Sequence, residues 1–287
     1  MAPRTKAAKL IDDSSVDDCL RPVASLRQEK ATPKKAQTKE AVWQFTPLDK
    51  ELLVTTSLLD QIDFHTGCKI GSPWKESSRK DLRGMLSRAP WSGDSKFTTR
   101  GFQFERKLCQ FANCLSKDKF YTMMEPDCIC DVERLGELYD KVRGSKQQVT
   151  LKESITIAGQ RFCLFGKADV LYPDSIKDIK TTSSWKPDDR WPPEDKYRKK
   201  NQHLMYSVVG KQSSFEYLVA EFVEVPNPVD PANPTWKVID VHCFDSSTPD
   251  LEEGRERLYK KITDNINFIA GDPEMWADYT NVFTRSW

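Results

Sequence analysis

The fold of this chain is decided by the stretch Gly166-Lys-Ala-Asp-Val-Leu-Tyr-Pro-Asp-Ser-Ile-Lys-Asp-Ile-Lys-Thr181. Apolar and β-branched residues run up to Tyr172, Pro173-Asp174 form a turn, and a second strand-like run follows. This pattern predicts a β-hairpin. If the turn is centred on Pro173-Asp174, Asp169 lies directly opposite Asp178. The hairpin therefore brings two carboxylates face to face.

Two carboxylates on one face of a sheet repel each other unless a positive charge lies between them. A divalent cation provides that charge, and oxygen ligands of this kind suit Mg²⁺ or Mn²⁺. Lys180 shares the face of Asp178, because side chains alternate along a strand. The residues therefore predict a metal site formed by Asp169 and Asp178, with an ammonium group beside it.

The same residues resemble the core of the PD-(D/E)XK nuclease superfamily. The resemblance is carried by Gly-x-x-Asp at 166–169 and by Asp-Ile-Lys at 178–180. Thr181 and the Gln-x-x-x-Tyr at 202–206 are similar to motifs of its RecB-like branch. The proline that precedes the first Asp in the superfamily's name is Ala168 here, a departure that is frequent in the RecB-like branch.

The order of elements extends the resemblance to roughly residues 100–270. It implies an α/β fold with a restriction-endonuclease-like core, in which helices flank a central mixed β-sheet whose meander carries the active site. It also implies a Mg²⁺- or Mn²⁺-dependent DNA nuclease, with an exonuclease of recombination, repair or phage DNA processing favoured. A structure-selective or restriction-like endonuclease stays open, as does a catalytically inactive nucleic-acid-binding module. DNA is the expected partner, and a single-strand annealing or binding protein is a further candidate.

The resemblance assigns roles to individual residues. Asp169, Asp178 and the backbone carbonyl of Ile179 are expected to hold the metal, together with Glu105. Lys180 is expected to orient or help deprotonate the attacking water. The residues expected to contact the substrate or brace the site are Thr181, Gln202, Tyr206, Arg198, Lys199, Lys200, Trp185 and Trp191.

Several of these assignments have an alternative. Glu105 lies on the apolar face of a predicted helix over 101–116, where a carboxylate needs a partner, so it forms either a salt bridge or part of the metal site. Trp185 and Trp191 lie in a loop rich in proline and charge, and they either fold back onto the sheet edge or stack on a base. The basic run 198–200 is either a solvent-exposed face or a phosphate-contacting patch.

Hydrophobic periodicity predicts the remaining elements. A short helix is expected over 47–54, with Thr55 beginning the next, and short helices separated by loops over 66–95. Phe102 and Leu108 are expected to face inward. The further predicted helices are 131–142, 196–211 and 251–270, and the strands are 149–157, 160–171, 175–182, 215–225 and 236–244.

The bulk composition sets limits on the class of protein. The chain has 287 residues, of which 38% are hydrophobic and 30% charged, with a formal net charge of +1, so any nucleic-acid surface must be a local patch. Its eight cysteines, with no visible secretory signal, indicate free thiols in a reducing compartment. Some RecB-like nucleases hold an iron–sulfur cluster through one cysteine upstream of the core and three downstream of it. Here only Cys243 lies downstream, which argues against such a cluster.

Composition also suggests how the chain is divided. Residues 1–40 are charged and poor in aromatic residues, which predicts a flexible tail or an arm that contacts a partner or DNA. Residues 41–287 are expected to form one nuclease domain. Its predicted parts are a helical region 41–145, a core 146–270 and a C-terminal extension 271–287. With no membrane segment expected, the predicted location is the cytoplasm of a bacterial or phage-infected cell.

Overall fold

The computed structural model of the chain describes residues 42–89, 96–113, 116–124, 132–187, 192–226, 235–246 and 250–282. The chain divides into two units, 1–37 and 38–287, and every described residue belongs to the second. The predicted division into a tail and one nuclease domain stays a prediction. None of the described helices has the length and apolar character needed to cross a membrane.

The described chain contains groups of helices and groups of strands in turn. The strands are β1 (Leu52–Thr55), β2 (Lys146–Ile157), β3 (Gln160–Leu171), β4 (Ser175–Thr182), β5 (Ser214–Val225) and β6 (Thr235–Ser246). The helices are α1 (Thr56–Gly67), α2 (Pro73–Leu86), α3 (Lys96–Phe111), α4 (Lys117–Met124), α5 (Val132–Val142), α6 (Asp195–Arg198), α7 (Gln202–Gly210), α8 (Leu251–Ala270) and α9 (Pro273–Val282).

The described strands form one mixed sheet in the order β1-β3-β4-β5-β6, with β2 paired to β3. The pairs β1/β3 and β4/β5 are parallel, and the others are antiparallel. Helices flank both faces, which confirms the predicted α/β class with a β2-β3-β4 meander. Alternation along β5 shows the two layers, since Tyr217 and Val219 pack with α1, α7, α8 and α9. Leu218 and Ala220 pack with α3, α4 and α5 on the opposite face.

The predicted hairpin and its register are confirmed. Val170 pairs with Lys177 and Leu171 with Ile176, the register expected for a turn centred on Pro173-Asp174. Helix 251–270 is also confirmed to the residue. Its predicted inward positions, Leu258, Ile262, Ile266 and Ile269, recur at helical spacing and are fully buried.

Other predictions were wrong. Residues 52–55 form β1 rather than the end of a helix, because Leu52, Leu53 and Val54 are buried in the sheet and pair with β3. The region predicted as loops with short helices contains the 14-residue helix α2. The predicted helix over 196–211 is broken into α6 and α7. Phe102 was expected to face inward, but it is 65% exposed.

The edge of β3 that faces β4 is open at its centre. Along this edge, β1 pairs with β3 over 162–165, and β4 pairs with β3 only at Val170 and Leu171. Within the described part of the chain, no strand pairs with this edge over 166–169, the Gly-x-x-Asp motif. The sheet therefore forks between β3 and β4.

Tyr206 of α7 packs into this fork. Its hydroxyl oxygen accepts a hydrogen bond from the backbone N–H of Lys167 at 3.2 Å, so a donor at the open edge is satisfied. The ring passes so close to Gly166 that a Cβ there would lie 3.0 Å from Tyr206 Cζ and closer still to Cε1. Glycine at 166 is therefore required by the approach of α7, which links two motifs that are distant in sequence.

We expect Gly166→Ala to destabilise the protein by about 1–3 kcal/mol, because the new methyl group overlaps the Tyr206 ring. The free energy of unfolding measured in urea tests this. Gly84→Ala is the matched control, because Gly84 lies in α2 with open space around it, and alanine there should stabilise by about 0.5–1 kcal/mol. A Gly166→Ala protein as stable as the parent would contradict the close packing.

Candidate active site

Two buried carboxylates meet at the fork. Asp169 is 8% exposed and Asp178 is 1% exposed. Continuing the register of the hairpin places them opposite each other, and their side chains lie within hydrogen-bonding distance. The sequence prediction of two facing acids is therefore reproduced by the geometry, at the point where backbone pairing stops.

The Asp169 carboxylate takes the place of missing strand pairing. Its Oδ2 accepts a hydrogen bond from the backbone N–H of Ile179 at 2.8 Å. Its Oδ1 accepts one from the amide of Gln148 at 3.2 Å. The same amide nitrogen donates to Glu105 Oε1 at 3.0 Å. Gln148 therefore joins the carboxylate of α3 to the carboxylate of β3.

Asp178 is held by one group of its own strand and by one group of α7. The ammonium of Lys180 forms an ion pair with its Oδ2. The side-chain amide of Gln202, the first residue of α7, donates to its Oδ1. Strand β4 and helix α7 therefore meet at this carboxylate, which places the Gln-x-x-x-Tyr motif beside the acid pair.

Burial dominates the electrostatics of the acid pair. It raises the pKa of Asp169, and the charge of Glu105 adds to this effect, while Lys180 opposes it. Burial also raises the pKa of Asp178, with Lys180 again acting in the opposite direction. Burial alone would lower the pKa of Lys180, but the charges of Asp178 and Asp169 outweigh it and raise that pKa. The lysine is therefore a stable cation at neutral pH.

Gln148 was missed by the sequence analysis. It lies opposite Asp169 in the register of β2 and β3, which is fixed by the tight turn at 158–159. That turn was anticipated, so the register could have indicated Gln148 as a neighbour of Asp169. Its φ of +51° gave no sequence signal, because a non-glycine residue rarely adopts this conformation.

Asn201 and Asp60 were missed as well. The backbone N–H and side-chain amide of Asn201 each donate to Asp60 Oδ1 at 2.8 Å. This contact with α1 ends one helix and starts the next, which explains why the predicted helix 196–211 is broken. The start of α7 is thereby fixed, and with it the position of Gln202.

The structure gives the surroundings of two further predicted substrate residues, Thr181 and Trp185. Thr181 packs against α3, since a Cβ at Gly101 would lie 3.0 Å from Thr181 Oγ1. Trp185 stacks on His242 at 4.2 Å with 8° between the ring planes, which favours the alternative that it folds onto the sheet. Trp191 lies outside the described residues. The base-stacking role of both tryptophans stays a prediction.

The basic run has partners of its own. Lys199 lies 3.9 Å from Asp195 and Lys200 lies 3.8 Å from Asp60. The guanidinium of Arg198 lies over the Phe244 ring at 5.3 Å. These contacts favour the alternative of a solvent-exposed basic face over a phosphate patch.

The donor set suits a hard divalent cation, although it is not a complete cage. Across the described ranges, no three side chains of His, Cys, Asp or Glu are grouped closely enough to form a metal site by themselves. The Gln148 amide lies between Glu105 and Asp169, which accounts for their separation. Mg²⁺ commonly binds through one or two carboxylates, waters and substrate phosphates, so Asp169 and Asp178 fit that mode.

Comparison with known proteins gives low similarities. No family model and no curated protein matches the chain. Among solved structures, the alkaline exonuclease from Laribacter hongkongensis is 12% identical, with a TM-score of 0.38 over 80% of this chain and 91% of that one. The phage related exonuclease from Haemophilus somnus 129PT is 11% identical, with a TM-score of 0.40 over 77% and 96%. Fold similarity at this level does not assign an activity.

The raised pKa values of the buried acids predict a pH-dependent stability. In the presence of a chelator, the folded protein binds protons more tightly at these carboxyls than the unfolded chain does. The unfolding free energy should therefore fall as the pH rises from about 4 through the raised pKa values, since the unfolded Asp ionises at about 3.9.

Urea unfolding at several pH values measures this decline. We expect Asp178→Asn to lose less unfolding free energy than the parent over this pH range, by on the order of 2 kcal/mol, because one buried ionisation is removed. Asp174→Asn in the exposed turn is the control and should keep the parent's profile. If the profiles of Asp178→Asn and the parent were parallel, the burial of this carboxylate would not govern the pH dependence.

Proposed function

We propose that this chain is a divalent-metal-dependent nuclease that hydrolyses phosphodiester bonds in DNA. The observation that carries the proposal is the buried pair Asp169 and Asp178, in contact at a fork of the sheet with Lys180 beside it. Burying two acids in contact is unfavourable for stability, so the arrangement calls for a function.

The site contains more carboxyl groups than cations. Glu105, Asp169 and Asp178 lie around a single ammonium, that of Lys180, which favours the binding of a further cation. Asp169 and Asp178 would hold Mg²⁺ or Mn²⁺, with the carbonyl of Ile179 and Glu105 as further candidate ligands. The ion would neutralise charge on the reacting phosphate and lower the pKa of a water.

Lys180 is suited to binding an anion. Its ion pair with Asp178 holds the ammonium beside the acid pair, where its N–H groups can donate hydrogen bonds. An ammonium beside the acid pair would orient the attacking water and stabilise the charge that develops on the phosphate. Of the two roles expected from the sequence, orientation is therefore the one that we propose.

Three further side chains hold the acid pair and the backbone beside it in place. Gln202 fixes the Asp178 carboxylate, and the Tyr206 hydroxyl fixes the backbone at Lys167. Gln148 fixes Asp169 relative to Glu105. These residues orient the reacting groups, which is a large part of what a phosphoryl-transfer site must do.

The mode of cleavage that we propose is exonucleolytic, on the resemblance of the motifs to the RecB-like branch. The proposed role is in recombination, repair or phage DNA processing, in the cytoplasm of a bacterial or phage-infected cell. A single-strand annealing or binding protein is the proposed protein partner.

Hydrolysis of end-labelled DNA tests the activity. The parent should cut with Mg²⁺ or Mn²⁺ and not with excess chelator. Asp178→Asn and Lys180→Ala should each lower kcat by about 10²-fold or more, because the first removes a proposed metal ligand and the second removes a cation beside the reacting phosphate. Asp174→Asn and Lys152→Ala, at exposed positions of the hairpin turn and β2, are the matched controls. Equal cleavage by all five proteins would overturn the site.

Closed circular and linear DNA of the same sequence distinguish the two modes of cleavage. An exonuclease should degrade only the linear form, because the circle offers no end. Cleavage of the circle would replace the exonuclease proposal with an endonuclease. An absence of cleavage with retained DNA binding would indicate a binding module.

A further inference from the structure

A second cation, the ammonium of Lys196, lies beside the last residue of β4. Side chains at Asp178, Lys180 and Thr182 share one face of this strand, because each lies two residues from the next. The Thr182 hydroxyl oxygen accepts a hydrogen bond from Lys196 Nζ at 3.2 Å. Lys196 belongs to α6, outside the two motifs that meet at the acid pair.

Aromatic rings hold the Lys196 ammonium in place. It lies 4.9 Å from the ring centroid of Tyr197 and 5.7 Å from that of Trp185. Tyr197 is buried, and Trp185 is fixed by its stacking on His242. The cation is thus positioned at the end of β4, although the residue as a whole is exposed to solvent.

Among the residues that the structure describes, no Asp or Glu lies within ion-pair distance of Lys196. The charge of Glu221 acts to raise the pKa of Lys196, but both carboxylate oxygens of Glu221 contact other groups. Oε1 accepts the backbone N–H of Trp185 at 2.9 Å, and Oε2 lies 3.0 Å from His242 Nε2. Lys199 and Lys200 differ, since each is paired with an aspartate.

This environment favours an incoming anion. Burial among the rings lowers the pKa of Lys196, with Glu221 compensating only in part. A phosphate beside the ammonium would supply a counter-charge and accept its N–H groups. The Thr182 hydroxyl donates to the Ser184 carbonyl at 2.8 Å, so toward Lys196 it acts as the acceptor that positions the ammonium. Phosphate contacts of this kind position a nucleic-acid strand without reading its sequence.

We propose that Lys196, positioned by Thr182, binds the phosphate adjacent to the scissile phosphate on the same strand of the substrate. The proposal rests on the proposed nuclease function. Two residues of a β-strand span about 6.8 Å, so Thr182 lies one such step from Lys180. That step is comparable to the separation of consecutive phosphates along one nucleic-acid strand. Lys196 is therefore a positioning residue that sets which bond reaches the acid pair.

Binding of a labelled single-stranded oligonucleotide in excess chelator tests this without cleavage. Lys196→Gln should weaken binding about three- to tenfold and reduce the slope of log K against log salt by about 0.7, the value for one lost phosphate contact on a single strand. Lys196→Arg, which keeps the charge, should retain the parent's slope. Lys152→Gln, which removes an exposed charge from β2, should leave both the affinity and the slope unchanged.

A set of oligonucleotides, each with one neutral methylphosphonate, locates the contact. In the parent, neutralising the phosphate next to the scissile one should weaken binding, whereas Lys196→Gln should be insensitive to that substitution. With metal present, Lys196→Gln should also cut at more than one position near the end. Equal sensitivity of the parent and Lys196→Gln at every phosphate would overturn the subsite.

The two proposals fail in different ways. If the parent cuts no DNA with Mg²⁺ or Mn²⁺, the nuclease function fails, and the binding measurements still decide whether Lys196 contacts a phosphate. If the parent cuts DNA while Lys196→Gln keeps the parent's affinity and salt slope, the nuclease function stands and the subsite fails.

Discussion

The separation of β3 from β4 after two residue pairs is the constraint on which the rest of the structure depends. Paired strands would satisfy each other's backbone groups and leave no room for a ligand. At the fork, the Asp169 side chain accepts the Ile179 N–H, and the Tyr206 hydroxyl accepts the Lys167 N–H. Side chains thus take over hydrogen bonds that a ladder would make, which keeps the opening from being an unsatisfied edge.

The fork also lets both helical layers reach one point. α3 packs on one face of the sheet and supplies Glu105, whereas α7 packs on the other and supplies Gln202. In a continuous sheet these two side chains would be separated by the strands. The cost of burying two acids is offset by donors from each layer and by Lys180. The site is therefore a property of the whole α/β arrangement rather than of the hairpin alone.

The sequence predicts what is local and periodic. The β3–β4 hairpin could be predicted because Pro173-Asp174 fix its turn. Residues at equal distances on either side of that turn then pair with each other, which gives the register. α8 could be predicted because its apolar positions recur along one face. β1 could not, since a short apolar run is compatible with a helix or a strand, and only pairing with β3 decides between them.

Long-range contacts account for what the sequence does not show in the site. The break before α7 depends on Asp60, which lies far away in the chain, and Gln148 reaches Asp169 only through a left-handed backbone conformation. Gly166 and Tyr206 were recognised as parts of separate motifs, yet their meaning lies in their mutual packing. The sequence therefore identifies the motif residues more readily than the long-range contacts that position them.

The order of groups along β4 gives the site a direction. The acid pair lies at the fork, Lys180 follows it, and the Thr182–Lys196 contact lies at the end of the strand. On this face of β4, the carboxylates lie near the fork, and the ammonium groups of Lys180 and Lys196 lie toward the end of the strand. A polyanion laid along the strand is repelled at the acids unless a cation bridges them, and it is attracted beyond them. The strand that leaves β3 to open the fork thus also sets the spacing at which successive phosphates would meet the protein.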